Sequence, residues 1–235
     1  MRIWGIADLH LSGAVPGSQE QHAARWRDHT ARIAEAWSRA VDPGDLVLIP
    51  GDISMAQNHR QLQPDLNWLE RLPGRKVLAP GNHDRWWNSL ERIRPMLRPG
   101  QLAVEGTAIE VDGVIVCGAR GCSAEPDGSA ELQARQLQLL DDALVQAEAM
   151  RGPGQPLYVL WHYPPHDRRG HPGPVVDRLV QANATCCVFG HLHQLGQWTS
   201  LVQGVRNGVK YACVAADAVG FRPIRLDAPP VTLRR

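Results

Sequence analysis

Residues 80–84, Pro80-Gly81-Asn82-His83-Asp84, place an amide, an imidazole and a carboxylate side by side, directly after the apolar run Lys76-Val77-Leu78-Ala79. Such a group can bind a cation, move a proton and orient a neighbour. Alone it is also an ordinary polar turn, because Asn, Asp and Gly are common turn formers. The pattern recurs, however. Asp8 and His10 follow the apolar start of the chain, Asp52 follows Leu46-Val47-Leu48-Ile49, His162 follows Leu157–Trp161, and His191 and His193 follow Cys186–Phe189. Five apolar runs that end in metal-competent groups point to one shared site at the carboxyl ends of strands, where α/β sheets hold their ligands. Imidazoles, carboxylates and an amide oxygen, with no thiolate, suit manganese, iron(II) or zinc better than calcium. Asp8, His10, Asp52, Asn82, His162, His191 and His193 are too many ligands for one ion that keeps an open position. They suit two ions sharing a carboxylate. Two metals about 3.5–4 Å apart can hold a bridging hydroxide and polarise a phosphoryl group.

The elements that must carry these groups alternate in period. Arg2 to Ala7 reads as a strand. Trp26, Ile33, Trp37 and Val41 recur at helical spacing and predict a helix over roughly 20–41, stopped by Asp42-Pro43-Gly44. A second strand over Leu46–Ile49, a helix marked by Leu62, Leu66 and Leu69 that Pro64 starts or bends, and a third strand before Pro80 complete a β-α-β-α-β rhythm. Short strands follow over 102–104, 107–111 and 114–117, the last two joined by the hairpin signal Asp112-Gly113. A loop over 118–129 carries Arg120. Next come a helix of about 20 residues with Leu137, Leu140, Leu144 and Ala147 on one face, a strand over Leu157–Trp161, a short helix near 174–182 and the strand Cys186–Phe189. The C-terminal part, with Asn207-Gly208 between apolar runs, reads as strands completing a second sheet. These elements predict one α/β domain spanning residues 1–235, with two packed sheets.

At 235 residues, 43% hydrophobic and 21% charged, the chain has the composition of a globular protein with a substantial core. A formal net charge of +1 without a basic stripe argues against nucleic acid as a partner. No signal-peptide pattern and no apolar stretch of membrane-spanning length is present, which leaves the cytoplasm as the expected location. Cys117, Cys186, Cys187 and Cys213 sit in apolar runs and read as buried thiols, while Cys122 lies in a loop.

The order Asp8-x-His10, Gly51-Asp52, Gly81-Asn82-His83-Asp84, His162, Gly190-His191-x-His193 resembles the signature of the calcineurin-like metallophosphoesterases over residues 8–193. The resemblance implies a four-layer α-β-β-α fold, two packed mixed β-sheets flanked by helices, with a binuclear centre at one edge. It also implies that Asp8, His10, Asp52 and His193 hold one divalent ion. Asp52, as the bridge, would hold the second with Asn82, His162 and His191; manganese or iron is favoured and zinc is an alternative. His83 would face the substrate, there to protonate the leaving oxygen as a bridging hydroxide attacks or to stabilise the phosphoryl charge, both tasks suited to an imidazole. Within the superfamily the chain is most similar to bacterial phosphodiesterase-like members and to small predicted phosphohydrolases. The Asp-Arg-Gly that follows the Gly-Asp block in the protein phosphatase branch is missing: Gly51-Asp52 is followed by Ile53-Ser54-Met55-Ala56, so that branch's orienting carboxylate for His83 is not supplied. Asp84 could take the role or point elsewhere.

Outside the ligand set, Arg85 and Arg120 are candidates for gripping phosphate oxygens, while Arg168 and Arg169 read as solvated surface. Trp86 and Trp87 read as helix anchors on the core, with a stacking wall for the substrate as the alternative. His166 and His171 lie in a loop near His162. The expected function is hydrolysis of a small-molecule phosphoester, leaning to phosphodiesters. A phosphomonoesterase or protein phosphatase, a nuclease, and a non-catalytic binding module are the alternatives, in that order.

Overall fold

The computed structural model describes residues 1–15, 24–123 and 129–227. The first half alternates β1 (Ile3–Gly5), α1 (His29–Ala40), β2 (Leu46–Pro50), α2 (His59–Glu70), β3 (Arg75–Ala79), α3 (Leu90–Ile93) and β4 (Gln101–Ala103). The second half runs through β5 (Thr107–Val111), β6 (Val114–Ala119), α4 (Ala130–Met150), β7 (Leu157–Trp161), α5 (Pro174–Gln181), β8 (Cys186–Phe189), α6 (Leu195–Trp198), β9 (Gly204–Arg206), β10 (Val209–Cys213) and β11 (Ile224–Arg225). One sheet has five strands in the order β11-β1-β2-β3-β4, the other six in the order β5-β6-β7-β8-β10-β9. β1 to β4 pair in parallel, as do β6, β7, β8 and β10. The antiparallel strands β11, β5 and β9 lie at the edges, so both sheets are mixed.

Period-two alternation explains the layers. Leu46, Leu48 and Val77 point inward between the sheets and meet Val116, Tyr158, Leu160 and Val188 of the other sheet. Val47, Ile49 and Leu78 point outward and are covered by Ile33 and Trp37 of α1 and by Leu62, Leu66 and Leu69 of α2. On the far side, Ile115, Cys117 and Val159 are covered by Leu140, Ala143 and Ala147 of α4 and by Val176 and Leu179 of α5. This is the expected α-β-β-α stack. Cys186 packs between the sheets and Cys187 under the outer helices, so the vicinal pair straddles one strand.

Three boundaries differ from the sequence expectation. The single helix over 20–41 is, among the described residues, a 3-10 turn at Ala24–Trp26 followed by α1, and residues 20–23 lie outside the described residues. The interruption is Asp28, whose φ of 53° is left-handed and cannot continue a right-handed helix. His29 secures the break, its ring nitrogens lying 3.0 Å from the carbonyl oxygens of Trp26 and Leu9. Pro64 lies within α2 and does not start it; Asn58 caps that helix by accepting a hydrogen bond from the Gln61 amide. The C-terminal strands are split between the sheets: β9 and β10 join the second, but β11 pairs with β1 in the first. Both hairpin signals hold. Asp112-Gly113 and Asn207-Gly208 have positive φ at both positions, the geometry that tight two-residue turns demand.

Candidate metal centre

Parallel strands of both sheets deliver their carboxyl ends to one edge, and there the sheets are stitched together. Ala7 donates to the Val214 carbonyl at 2.8 Å, and Ala216 donates to Ala7 at 2.9 Å. Beyond β1 and β2 the parallel ladder continues, with Asp8 donating to Gly51 and His10 to Asp52, each at 3.0 Å. Asp8, His10, Asp52 and His191 all take left-handed φ values of 43° to 76°. Such strain in non-glycine residues persists where surrounding structure over-determines it, and it concentrates at functional sites.

Two clusters result. Asp8, His10, Asp52 and His193 place one ligand atom each within 4.8 Å of one another, and Asp52, His162 and His191 do the same. Asp52 belongs to both. Its Oδ2 lies 3.9 Å from His10 Nε2 and 3.4 Å from His162 Nε2, while its Oδ1 accepts the His83 amide at 2.8 Å. Asn82 Oδ1 lies 2.9 Å from His162 Nε2 and 3.0 Å from His191 Nδ1, which adds it to the second cluster. In the first, His193 Nε2 is 3.3 Å from His10 Nε2 and 3.5 Å from Asp8 Oδ1. All seven ligand candidates therefore converge, divided as the resemblance implies.

The motif glycines make room for the carboxylates. A Cβ on Gly81 would collide with Asp52 Oδ1, and one on Gly190 with Asp8 Oδ2. Neighbouring groups aim the ligands. His162 Nδ1 is 2.9 Å from the Pro50 carbonyl, and the His191 amide donates to Asp8 Oδ1 at 3.0 Å. His193 Nδ1 is 3.0 Å from Oδ1 of Asp217, a residue the sequence reading missed. Asp217 is itself paired with Arg25, whose Nη2 lies 2.8 Å from Oδ2. Trp26 closes this side, edge-on to both His10 and His193 at 5.5 and 5.4 Å between ring centroids.

Asp84 resolves differently from the role considered for it. Its carboxylate turns away from the His83 ring and accepts from the amides of Ile53, Ser54 and Gly81 at 2.9, 3.0 and 2.8 Å, and from Trp86 Nε1 at 3.1 Å. It clamps the loop after β2 to the loop after β3, and so fixes Asp52 relative to Asn82. Burial first, then the nearby charge of Asp52, pushes its pKa up to about 7. The His83 ring is exposed, stands 5.5 Å from the His10 ring, and makes no hydrogen bond among the described residues.

The charge balance of the clusters fits divalent cations. Burial draws the His162 pKa down, but the Asp52 carboxylate outweighs it and raises it to about 9. Likewise burial opposes a charge on His193, yet Asp217 and Asp8 lift it to about 10. His191 is pushed down to about 3, by burial and then by the charge of His162. The buried carboxylates of Asp8 and Asp52 thus draw positive charge into the pocket, and converging imidazole and amide atoms meet the ligand preferences of borderline metals.

Of the remaining candidates, Trp86 is fully buried and Trp87 donates to Glu105 Oε2 at 2.7 Å, so both anchor the chain on the core. Exposed Arg85 reaches Gln57 Oε1 at 3.3 Å. Half-buried Arg120 lies where β6 meets β7, its carbonyl accepting the His162 amide at 3.1 Å, and its Nε has no hydrogen-bond partner among the described residues. His166 is buried against Tyr211, while His171 is exposed and held by Asp167.

The sequence pattern that defines the calcineurin-like phosphoesterases matches residues 1–195. The chain belongs to this family. Its metal-dependent hydrolases supply the context for the two clusters, whose ligand candidates all lie within the matched residues; Asp217 lies beyond them. Among curated proteins, the chain is similar to the gene 66 proteins of Mycobacterium phages D29 and L5. It is 41% identical to the first over 83 residues and 37% identical to the second over 81. These matches cover 35% and 34% of this chain and span only 40% and 39% of the phage proteins. Among solved structures, a protein of unknown function from Aquifex aeolicus aligns over 95% of both chains, with 15% identity and a TM-score of 0.51. A phosphopantetheinyl hydrolase from Mycobacterium tuberculosis aligns over 97% of this chain and 96% of its own, with 16% identity and a TM-score of 0.55. At such identities the likeness concerns the fold.

Proposed function

We propose that this calcineurin-like phosphoesterase uses two divalent ions, manganese or iron by preference, to hydrolyse a small-molecule phosphodiester. The observation that carries the reading is Asp52, whose carboxylate belongs to both clusters, so that ions in the two would share it. Asp8, His10 and His193 complete one subsite; Asn82, His162 and His191 complete the other. When bound, the ions supply positive charge that polarises the phosphoryl oxygens and activates water near neutral pH.

The chain supplies the rest. Asp217 and the Pro50 carbonyl hold the rings of His193 and His162 by their outer nitrogens, so the opposite nitrogens face the clusters. The His83 backbone is pinned to Asp52 while its ring stays exposed beside the first cluster. A ring nitrogen of His83 can therefore reach a leaving oxygen without being drawn into the ligand set, and there delivers its proton as the ester bond breaks. Arg120, whose Nε has no hydrogen-bond partner among the described residues and whose carbonyl accepts the His162 amide, is the arginine assigned to a phosphate oxygen. Arg85 is engaged with Gln57.

Metal analysis of the purified protein, with turnover of bis(4-nitrophenyl) phosphate and 4-nitrophenyl phosphate under added manganese, tests the reading. Two ions per chain and faster diester turnover are expected. A single ion per chain, with full activity, would defeat the shared-carboxylate arrangement.

A further inference from the structure

A cavity of about 590 Å³ opens beside the second metal cluster, and His191 forms part of its wall. Tyr163 lies against the His191 ring, with centroids 4.2 Å apart, and is shared by the cavity and the cluster's surroundings. The walls come from four directions: the segment after β6 with Cys122 and Ser123, the first turns of α4 with Gln133, the loop after β7, and the segment around α6 with Ser200 and Leu201. Their character is mixed. Leucine, alanine, proline and tyrosine alternate with serine and glutamine, and His166 and Arg168 also line it. Asp167 is already taken up by His171 and by the amides of Arg169 and His171. A volume of this size is typical of sites that enclose a small organic ligand and orient it with a few polar groups.

The cavity's position relative to His83 specifies which part of a substrate it can take. His83 stands beside His10, a member of the first cluster only, whereas the cavity begins at His191, a member of the second only. A leaving group protonated by His83 departs on the first side. The substituent retained on phosphorus is then the one beside His191. Monoesters have no such second substituent. We infer that the cavity is the subsite for the retained arm of a phosphodiester, and that this arm is an organic group of nucleoside size bearing hydrogen-bonding heteroatoms. The inference rests on the phosphoesterase reading above and narrows its substrate class. Hydrolysis breaks the bond from phosphorus to the leaving oxygen, adds water's oxygen to phosphorus and releases the retained arm as a phosphomonoester.

Two diesters with the same leaving group isolate the retained arm: thymidine 5′-(4-nitrophenyl) phosphate and methyl 4-nitrophenyl phosphate. With the manganese-loaded full chain, kcat/KM is expected to favour the thymidine ester by at least tenfold, mainly through KM. Gln133→Trp and Ser200→Trp fill the cavity from different walls, and each should lower that preference at least tenfold. Val145→Trp, on an exposed part of α4 away from the cavity, should leave it unchanged. Equal kcat/KM for the two esters, or a preference that survives both fillings in folded protein, overturns the subsite. Failure to hydrolyse either ester with two ions bound overturns the phosphoesterase reading, and the subsite falls with it. Turnover of the methyl ester separates the two failures.

Discussion

Replacing Asp217 tests whether the support behind His193 governs metal binding at one cluster and not at both. Its side chain is fully buried, and its Oδ1 lies 3.0 Å from His193 Nδ1. A neutral His193 that donates Nδ1–H to this carboxylate must present Nε2 to Asp8 and His10, the tautomer a ligand needs. A hydrogen bond to a charged group contributes about 1.5–3 kcal/mol, and loss of such a partner typically weakens metal binding about 10- to 100-fold, or roughly 1.4–2.7 kcal/mol. Asp217→Ala should therefore weaken one of two manganese-binding steps by that factor in isothermal titration of chelator-treated protein. The step involving Asn82, His162 and His191 should be nearly unchanged, since none of them touches Asp217. Arg25→Gln should cost less than about threefold, because Arg25 is 38% exposed and its ion pair is partly screened by solvent. Unaltered affinity at both steps in Asp217→Ala would refute the reasoning. So would equal weakening of both, which would indicate a general disturbance of the sheet edge.

His83→Ala should lower kcat by about 10²- to 10⁴-fold while metal content and melting temperature hold, because the ring is exposed and unbonded among the described residues; intact turnover would remove it from the mechanism. Asp84→Ala leaves the buried amides of Ile53, Ser54 and Gly81 without their acceptor, while Trp86 Nε1 keeps the Ser54 carbonyl at 3.3 Å. At about 1–3 kcal/mol for each unsatisfied group, with incomplete additivity, urea unfolding should show a loss of at least about 3 kcal/mol. A loss below about 1 kcal/mol would mean that the loops do not depend on this clamp. Asp45 accepts from the amides of Arg2 and Asp42, from Arg2 Nε and from Trp4 Nε1. Burial opposes its charge, but these bonds win and hold its pKa well below the usual carboxylate range. The contribution of Asp45 is complete above the unfolded value of about 3.9 and is lost as pH falls through the lower folded value. Asp45→Asn should thus cost roughly 1.5–3 kcal/mol at pH 7, with the gap to the parent protein narrowing below about pH 4. A gap that is constant with pH would contradict the assignment.

Much of the candidate site could be read from the linear chain because its metal-competent residues come within a few positions of the ends of apolar runs. In a parallel sheet, adjacency in sequence becomes adjacency in space: runs that begin on one side of the layer end on the other, and their polar terminators gather there. Asp8, Asp52, Asn82, His162 and His191 were legible for this reason alone. The layer order was legible too, since strands buried on both faces need helices outside and a second sheet within. Asp217 follows the same rule, coming four residues after β10, but Val214, Ala215 and Ala216 separate it from the strand and no second polar residue flags it. The break before α1 was not legible because Asp28 is a tolerable helix residue, whereas the contact of His29 with the Leu9 carbonyl that accompanies its left-handed backbone is made across the fold.

Residue types and their order after strands thus determined which metal-competent side chains gather and at which edge of the fold they do so. Folding in three dimensions determined how those residues divide the work. The carboxylate of Asp84 had several possible partners within reach along the chain, and the approach of the β2 loop presented the Ile53 and Ser54 amides, which join the nearby Gly81 amide in taking it up. The same closure assigned Asp52 to both clusters, placed Asp217 behind His193, and left a cavity beside His191. Such outcomes depend on distances between segments far apart in sequence, and hydrogen-bonding capacity, which is a property of the residue alone, does not specify which partner arrives.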